Sequence, residues 1–231
     1  MSRVLVVAPH PDDEVLGAGG FMARLSDEGH EVHVAIVTKG YPPQFDEALV
    51  ATGRKEAAEA HAALGVSETY FLDFPAAGLD TVPHRDVNMA LVALTEELLP
   101  ETILLPFSGD LHLDHQLVSH SVMVAARPNR PQSVSRMLAY ETVSETNWNS
   151  PMEPRFTPNV FVDISSYIET KLQATACFAS QIRPFPHERS LEAIRALATV
   201  RGSSVGLRAA EGFMLIRWIA DEGQNPSAEI L

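Results

Sequence analysis

Cysteine is nearly missing: Cys177 stands alone in 231 residues. An internal disulfide is therefore excluded, and so is a cysteine-rich structural zinc site. Cys177 itself reads as a small buried hydrophobe in an intracellular chain. Long apolar runs are missing too. No stretch approaches the roughly 20 residues of a spanning helix. Arg3 is followed by Val4-Leu5-Val6-Val7 and then Ala8-Pro9-His10, too short a run for the core of a signal peptide. The expectation is a cytoplasmic protein with no membrane attachment. Bases are scarce, 17 against 30 acids, for a formal charge of −13. A field of that sign repels nucleic acid and anionic membrane. A neutral or locally steered small molecule is the expected partner, and the composition is compatible with a homo-oligomer.

What is present is enough apolar material, 45%, for one large globular domain. Strand-like and helix-like patterns alternate. Arg3–Ala8 and Glu31–Thr38 read as buried strands, Thr69–Leu72 and Thr102–Leu105 as shorter ones. Helices are expected over Glu14–Glu28, closed by Gly29, over Ala48–Leu64, closed by Gly65, and over Val87–Leu99 and Leu117–Ala126. After Arg127 prolines punctuate the chain. Strands are expected at Leu138–Val143, Val160–Ile164 and Phe213–Ile219, with helices at Tyr167–Ala179, capped by Ser165 or Ser166, and Leu191–Val200. This predicts a single α/β domain over 1–231. Its 1–127 half is a Rossmann-like, mostly parallel sheet with helices on both faces. A mixed α/β segment over 128–220 completes the substrate site, and 221–231 form a loose tail.

Charge sits where buried strands end. "PHPDDE" (Pro9–Glu14) follows the first strand and "GDLHLDHQ" (Gly109–Gln116) follows the fourth. Unpaired charge is costly to bury, so a cation that gathers these side chains is the natural explanation. A doubly wound sheet of order 3-2-1-4 places ligands at the carboxyl ends of its strands, where both motifs would face one crevice. Two imidazoles, a carboxylate and an open fourth position describe a catalytic zinc site. Bound zinc makes a water acidic, and a nearby carboxylate can take its proton.

The pair "PHPDDE" and "HLDH" (His112–His115) resembles the two signatures of the PIG-L/LmbE-like zinc-dependent N-deacetylases. "RKEAAEAHAALGV" (Arg54–Val66) is similar to the family's second helix and "RGSSVGLRAAEGF" (Arg201–Phe213) to its C-terminal segment. The likeness spans nearly the whole chain. It implies His10, Asp13 and His115 as zinc ligands, with Fe2+ or Co2+ as substitutes, and Asp12 as general base. It implies His112 as the group that stabilises or protonates the tetrahedral intermediate, and Asp114 as the acid that orients His112 and favours its charged form. The implied substrates are N-acetylated amino sugars of the N-acetylglucosaminyl type. Two departures are visible. Pro9 stands where alanine is usual. The arginine usual at the position of Gly53 is here Arg54, the substrate-binding candidate. "YETVSETNW" (Tyr140–Trp148) is expected at the substrate rim.

Other features have plainer readings. His30, His33, His61, His84, His120 and His187 read as surface or packing residues. Glu14 reads as a substrate contact or, as the favoured reading, as an acid that starts the first helix at its N-terminal dipole. "GAGG" (Gly17–Gly20) reads as small residues that let the first helix approach the sheet. Asp110 is either a supporting group or a turn residue. A metal-dependent phosphoesterase is a second reading, but that chemistry often uses two metals about 3.5–4 Å apart, more than three ligands hold. A catalytically inactive metal-binding module is a third, and it would not need Asp12, His112 and Asp114.

Overall fold

The computed structural model describes residues 1–128 and 134–220. The tail expected over 221–231 lies outside the described residues. The chain runs β1 (Arg3–Ala8), α1 (Asp13–Asp27), β2 (Glu31–Lys39), α2 (Glu47–Leu64), β3 (Glu68–Pro75), a 3-10 turn (Leu79–Thr81), α3 (His84–Leu98), β4 (Thr102–Pro106), α4 (Leu113–Ala125), β5 (Arg136–Tyr140), β6 (Val160–Asp163), α5 (Ile168–Cys177), α6 (Leu191–Ser203) and β7 (Ala210–Trp218). Seven strands form one sheet in the order β3-β2-β1-β4-β5-β7-β6. The first five are parallel, while β7 runs antiparallel to both β5 and β6. The predicted 3-2-1-4 half is present, extended by the mixed segment.

Period-two alternation splits the core. Val4, Val6 and Ala8 of β1 join Val15, Phe21 and Met22 of α1, Ala57 and Leu64 of α2, and Ala174 of α5 on one face. Leu5 and Val7 join Leu91 of α3 and Val118 and Val122 of α4 on the other. With both faces covered, β1 reads as a continuous apolar run, as parallel strands do. Gly29 (φ 83°) and Gly65 (φ 72°) occupy left-handed positions past their helices, as expected.

Several boundaries moved for identifiable reasons. Helix α4 starts at Leu113, earlier than expected, because the His112 ring caps it: Nδ1 accepts from the Asp114 N–H at 3.1 Å. Neither Ser165 nor Ser166 caps α5. Tyr167 holds that position, and Ser165 instead donates through its N–H and hydroxyl to Asp163 Oδ1. Cys177 is half-buried rather than buried, packed at the edge of the α1/α2/α5 core.

The "GAGG" stretch does bring α1 close to its neighbours. A methyl on Gly17 would overlap the Tyr140 ring, and one on Gly20 would sit 2.8 Å from Ile164 Cδ1. Tyr140 cannot swing away freely, because its hydroxyl donates to Val7 O at 2.8 Å. A buried ion pair fixes the same helix. Lys171 Nζ donates to Glu211 Oε1 at 2.6 Å and to Leu16 O at 2.8 Å, while Glu211 accepts from the N–H groups of Gly20 and Phe21 at 2.8 and 2.7 Å. Gly17→Ala should therefore cost about 1–3 kcal/mol, the range for overpacking, read as a lower urea midpoint at unchanged m-value. An unshifted midpoint would mean that Tyr140 yields without cost.

Candidate metal centre and active site

Parallel pairing of β1 with β4, Val4 opposite Thr102 and Val6 opposite Leu104, sets the two motifs side by side. Asp13 opens α1 and is 1% exposed; His115 lies in the first turn of α4 and is fully buried. His10 Nδ1 and His115 Nε2 both lie 3.2 Å from Asp13 Oδ2, and the His10 N–H donates to the same oxygen at 2.8 Å. Ligand atoms of His10, Asp13 and His115 all fall within 4.8 Å of one another. Asp13 Oδ1 and His115 Nε2 are buried without a hydrogen-bond partner. Orphaned polar atoms are rare in folded interiors. Here they converge in a nitrogen–oxygen donor set, so the residues fit a divalent cation.

Each of the two rings is held from behind. His115 Nδ1 contacts Asp110 Oδ2 at 2.9 Å, and Asp110 Oδ1 accepts from the Thr146 hydroxyl at 2.6 Å. Asp110 is thus placed as a supporting carboxylate of the kind that metal-binding histidines use, rather than only as a turn residue. His10 Nε2 contacts Asp114 Oδ2 at 3.0 Å. Asp114 also accepts from the N–H groups of Ala77 (2.7 Å) and Leu79 (3.3 Å). Its carboxylate lies 4.0 Å from His112 Nδ1. Asp114 orients His112 through its backbone N–H, and its side chain serves His10. The direction of the His112 shift runs against the charged form expected from the sequence. Burial, then the neighbouring His10, holds the ring below its ordinary value, against the pull of Asp114.

The electrostatics show a site that gathers positive charge. Burial works against a charged His10, but hydrogen bonds to Asp114 and Asp13 outweigh it and lift the ring to about 9. Burial likewise opposes charge on His115, and Asp13 and Asp110 raise it to about 10. Asp13 stays well below the usual carboxylate range despite burial, because His115 and His10 face it. Asp12 behaves oppositely. Burial, then the adjacent Asp13, pushes it up to about 8, while Arg189 pulls it down.

Asp12 sits at φ 117°, ψ −28°, a conformation that costs a non-glycine residue about 1–3 kcal/mol and recurs at functional sites. Arg189 Nη1 donates to its Oδ2 at 2.9 Å and Arg189 Nε to Ser144 Oγ at 2.9 Å. Nothing in the spacing of the sequence marked Arg189, which follows Asp12 by 177 positions.

His10, Asp12, His112 and Arg189 line a cavity of about 290 Å3, shared with Lys39, Arg54, Glu56, Glu145, Gln181 and the apolar Phe45, Leu49, Val50, Phe71 and Phe178. Arg54 reaches this wall, stacked 4.5 Å from the Phe71 ring centroid and paired with Asp73. Of the "YETVSETNW" stretch, Glu145 lines the cavity. A larger groove of about 690 Å3 between α5 and α6 has none of this chemistry: its Glu169 and Arg195 pair with each other at 2.6 and 2.7 Å. Among the described residues no helix is long and apolar enough to cross a membrane.

A doubly wound α/β sheet with a histidine–carboxylate cluster at the crevice beside its central strands defines the class: a Rossmann-like protein whose His and Asp groups could hold a divalent cation beside a small-molecule cavity. The chain belongs to the PIG-L family, whose GlcNAc-PI de-N-acetylase profile matches residues 5–126. It is 29% identical to the diacetylchitobiose deacetylase of Thermococcus kodakarensis over 94% of this chain and 84% of that one. The N,N'-diacetylchitobiose deacetylase structure from Pyrococcus horikoshii superimposes with a TM-score of 0.76 at 29% identity, again over 94% and 84% of the two chains. The 4-oxalmesaconate hydratase of Pseudomonas putida is 26% identical over 77% of this chain and 73% of its own.

A cation must displace the protons that His10 and His115 hold up to about 9 and about 10. Zinc titration near neutral pH should therefore release more than one proton per ion, and apparent affinity should climb as pH rises toward 9. Calorimetry in buffers of different ionisation enthalpy measures the release. Proton-neutral binding, or affinity flat over that range, would rule out these two rings as ligands.

Proposed function

We propose that this chain is a metal-dependent amide hydrolase that removes the acetyl group from an N-acetylated amino sugar, with zinc held by His10, Asp13 and His115. One observation carries the reading: Asp12 and His112, two groups with opposite proton roles, line the same small cavity as the ligand His10. Its volume is at the low end for small-molecule sites, which suits a single sugar unit bearing an acetamide. The similarity to diacetylchitobiose deacetylases points to the same bond.

When bound, the metal supplies positive charge that polarises the amide carbonyl and acidifies the attacking water. Asp12 accepts the proton from that water. Arg189 fixes its Oδ2 at 2.9 Å, so the carboxylate is oriented before substrate arrives. His112 Nδ1 accepts from the Asp114 N–H, so the neutral ring carries its proton on Nε2. That N–H can donate to the carbonyl oxygen as negative charge develops there. As the C–N bond breaks, the proton held by Asp12 passes to the departing nitrogen. Acetate and the free amine leave. Arg54, which lines the same cavity beside Phe71, would take a sugar hydroxyl.

Acetate release across a panel of N-acetylglucosaminyl compounds tests the reading. Asp12→Asn should keep metal and fold and lose about 10²–10⁴ in kcat. His112→Ala should lower kcat with metal retained. A panel that yields no acetate, but phosphate from phosphate esters or hydration of an unsaturated dicarboxylate, would replace deacetylation with that activity.

A further inference from the structure

We propose that Glu14 and His61, backed by Thr69, form a buried clamp that holds the backbone of Asp12 in its strained turn. They are then positioning residues for the base. The sequence reads Glu14 as a substrate contact or, by preference, as an acid at a helix N-terminus, and it does stand in the first turn of α1. It is fully buried, and its Oε1 lies 2.9 Å from His61 Nε2. A dipole role needs only an exposed acid, whereas a buried carboxylate must be matched by hydrogen bonds.

The chain of contacts runs in one direction. His61, 3% exposed on α2, contacts Thr69 Oγ1 of β3 through Nδ1 at 2.7 Å. Its other nitrogen holds Glu14, and Glu14 Oε2 accepts the Asp12 N–H at 3.3 Å. The Asp12 carbonyl is already engaged by the N–H groups of Val15 and Leu16 at 3.1 and 2.9 Å. Amide, carbonyl and carboxylate of Asp12 are thus each tied to a different group. The amide restraint reaches β3 and α2 through two side chains that touch neither metal ligand nor cavity. A strained conformation persists only when its surroundings over-determine it, and these contacts do so.

The test uses the zinc-loaded protein and its Glu14→Ala, Glu14→Gln, His61→Ala and Thr69→Val variants, with Leu64→Ala, a buried α2 position outside the clamp, as a stability control. Glu14→Ala should lower kcat by about 10-fold to 100-fold, the scale of a misplaced catalytic group, with KM and metal content held. Hydrogen exchange at the Asp12 amide should quicken about 10-fold or more. Glu14→Gln, which retains an acceptor, should recover most of kcat. The Glu14→Ala/His61→Ala double variant should be no worse than Glu14→Ala, as expected of one connected unit. Leu64→Ala should lose stability and keep kcat. The clamp is overturned by unchanged kcat and unchanged Asp12 exchange in folded Glu14→Ala, by loss of metal together with activity, or by an equal kcat loss in Leu64→Ala. Should Glu14→Ala not fold, Thr69→Val decides. It should show a smaller change of the same sign, and no change there refutes the clamp. The inference rests on Asp12 being the base. A parent enzyme that releases no acetate counts against that assignment, while an unmoved Asp12 amide counts against the clamp.

Discussion

The pairing of β1 with β4 is the constraint on which the site depends. The two strands are joined in parallel at Val4–Thr102, Leu5–Ile103 and Val6–Leu104. Both chains must therefore leave the sheet at the same edge. Chain direction then delivers Pro9–Asp13 and Asp110–His115 to one crevice. Asp13 meets His10 from its own turn and His115 from the other. Without this pairing the histidines of the second motif would have no carboxylate to face, and Asp13 would be a buried charge without compensation.

Around that meeting point the protein is stiff by construction. Asp110 and Asp114 each hold one ring of the candidate metal site, His115 and His10, so both imidazole orientations are set by the protein itself. Helix α1, which presents Asp12 and Asp13 at its N-terminus, is anchored far from the chemistry. Gly17 and Gly20 let it lie against Tyr140 and Ile164, and the Lys171–Glu211 pair grips its middle. Its first turn is placed as part of a rigid body, not as a loop. Preorganisation of this kind is what the proposed roles of Asp12 and His112 require, since neither group then waits for the site to assemble.

Much of this was legible in the residues. The apolar runs of β1, β2 and β4, the glycine-closed helices α1 and α2 and the two charged motifs are local patterns, and local patterns survive folding when both faces of a parallel sheet are covered. Boundaries failed where a side chain took an unforeseen partner. His112 caps α4 and lengthens it, and Ser165 turns to Asp163 instead of to α5. The role of the Asp114 side chain differs for a related reason. A carboxylate next to a histidine in sequence need not bond it, because in the first turn of a helix neighbouring side chains diverge.

The sequence by itself determined the alternation of strands and helices, the two charged motifs that supply the candidate metal-site residues, and the family resemblance. Each is carried by contiguous residues or by a short fixed spacing. Tertiary structure alone decided which carboxylate supports which ring, that Arg189 reaches Asp12 across most of the chain, and that Glu14 faces His61 and not solvent. Those contacts arise where helices α1, α2 and α4 and the 141–149 and 183–190 loops converge. No periodicity along the chain encodes that convergence, because it is set by how the layers pack.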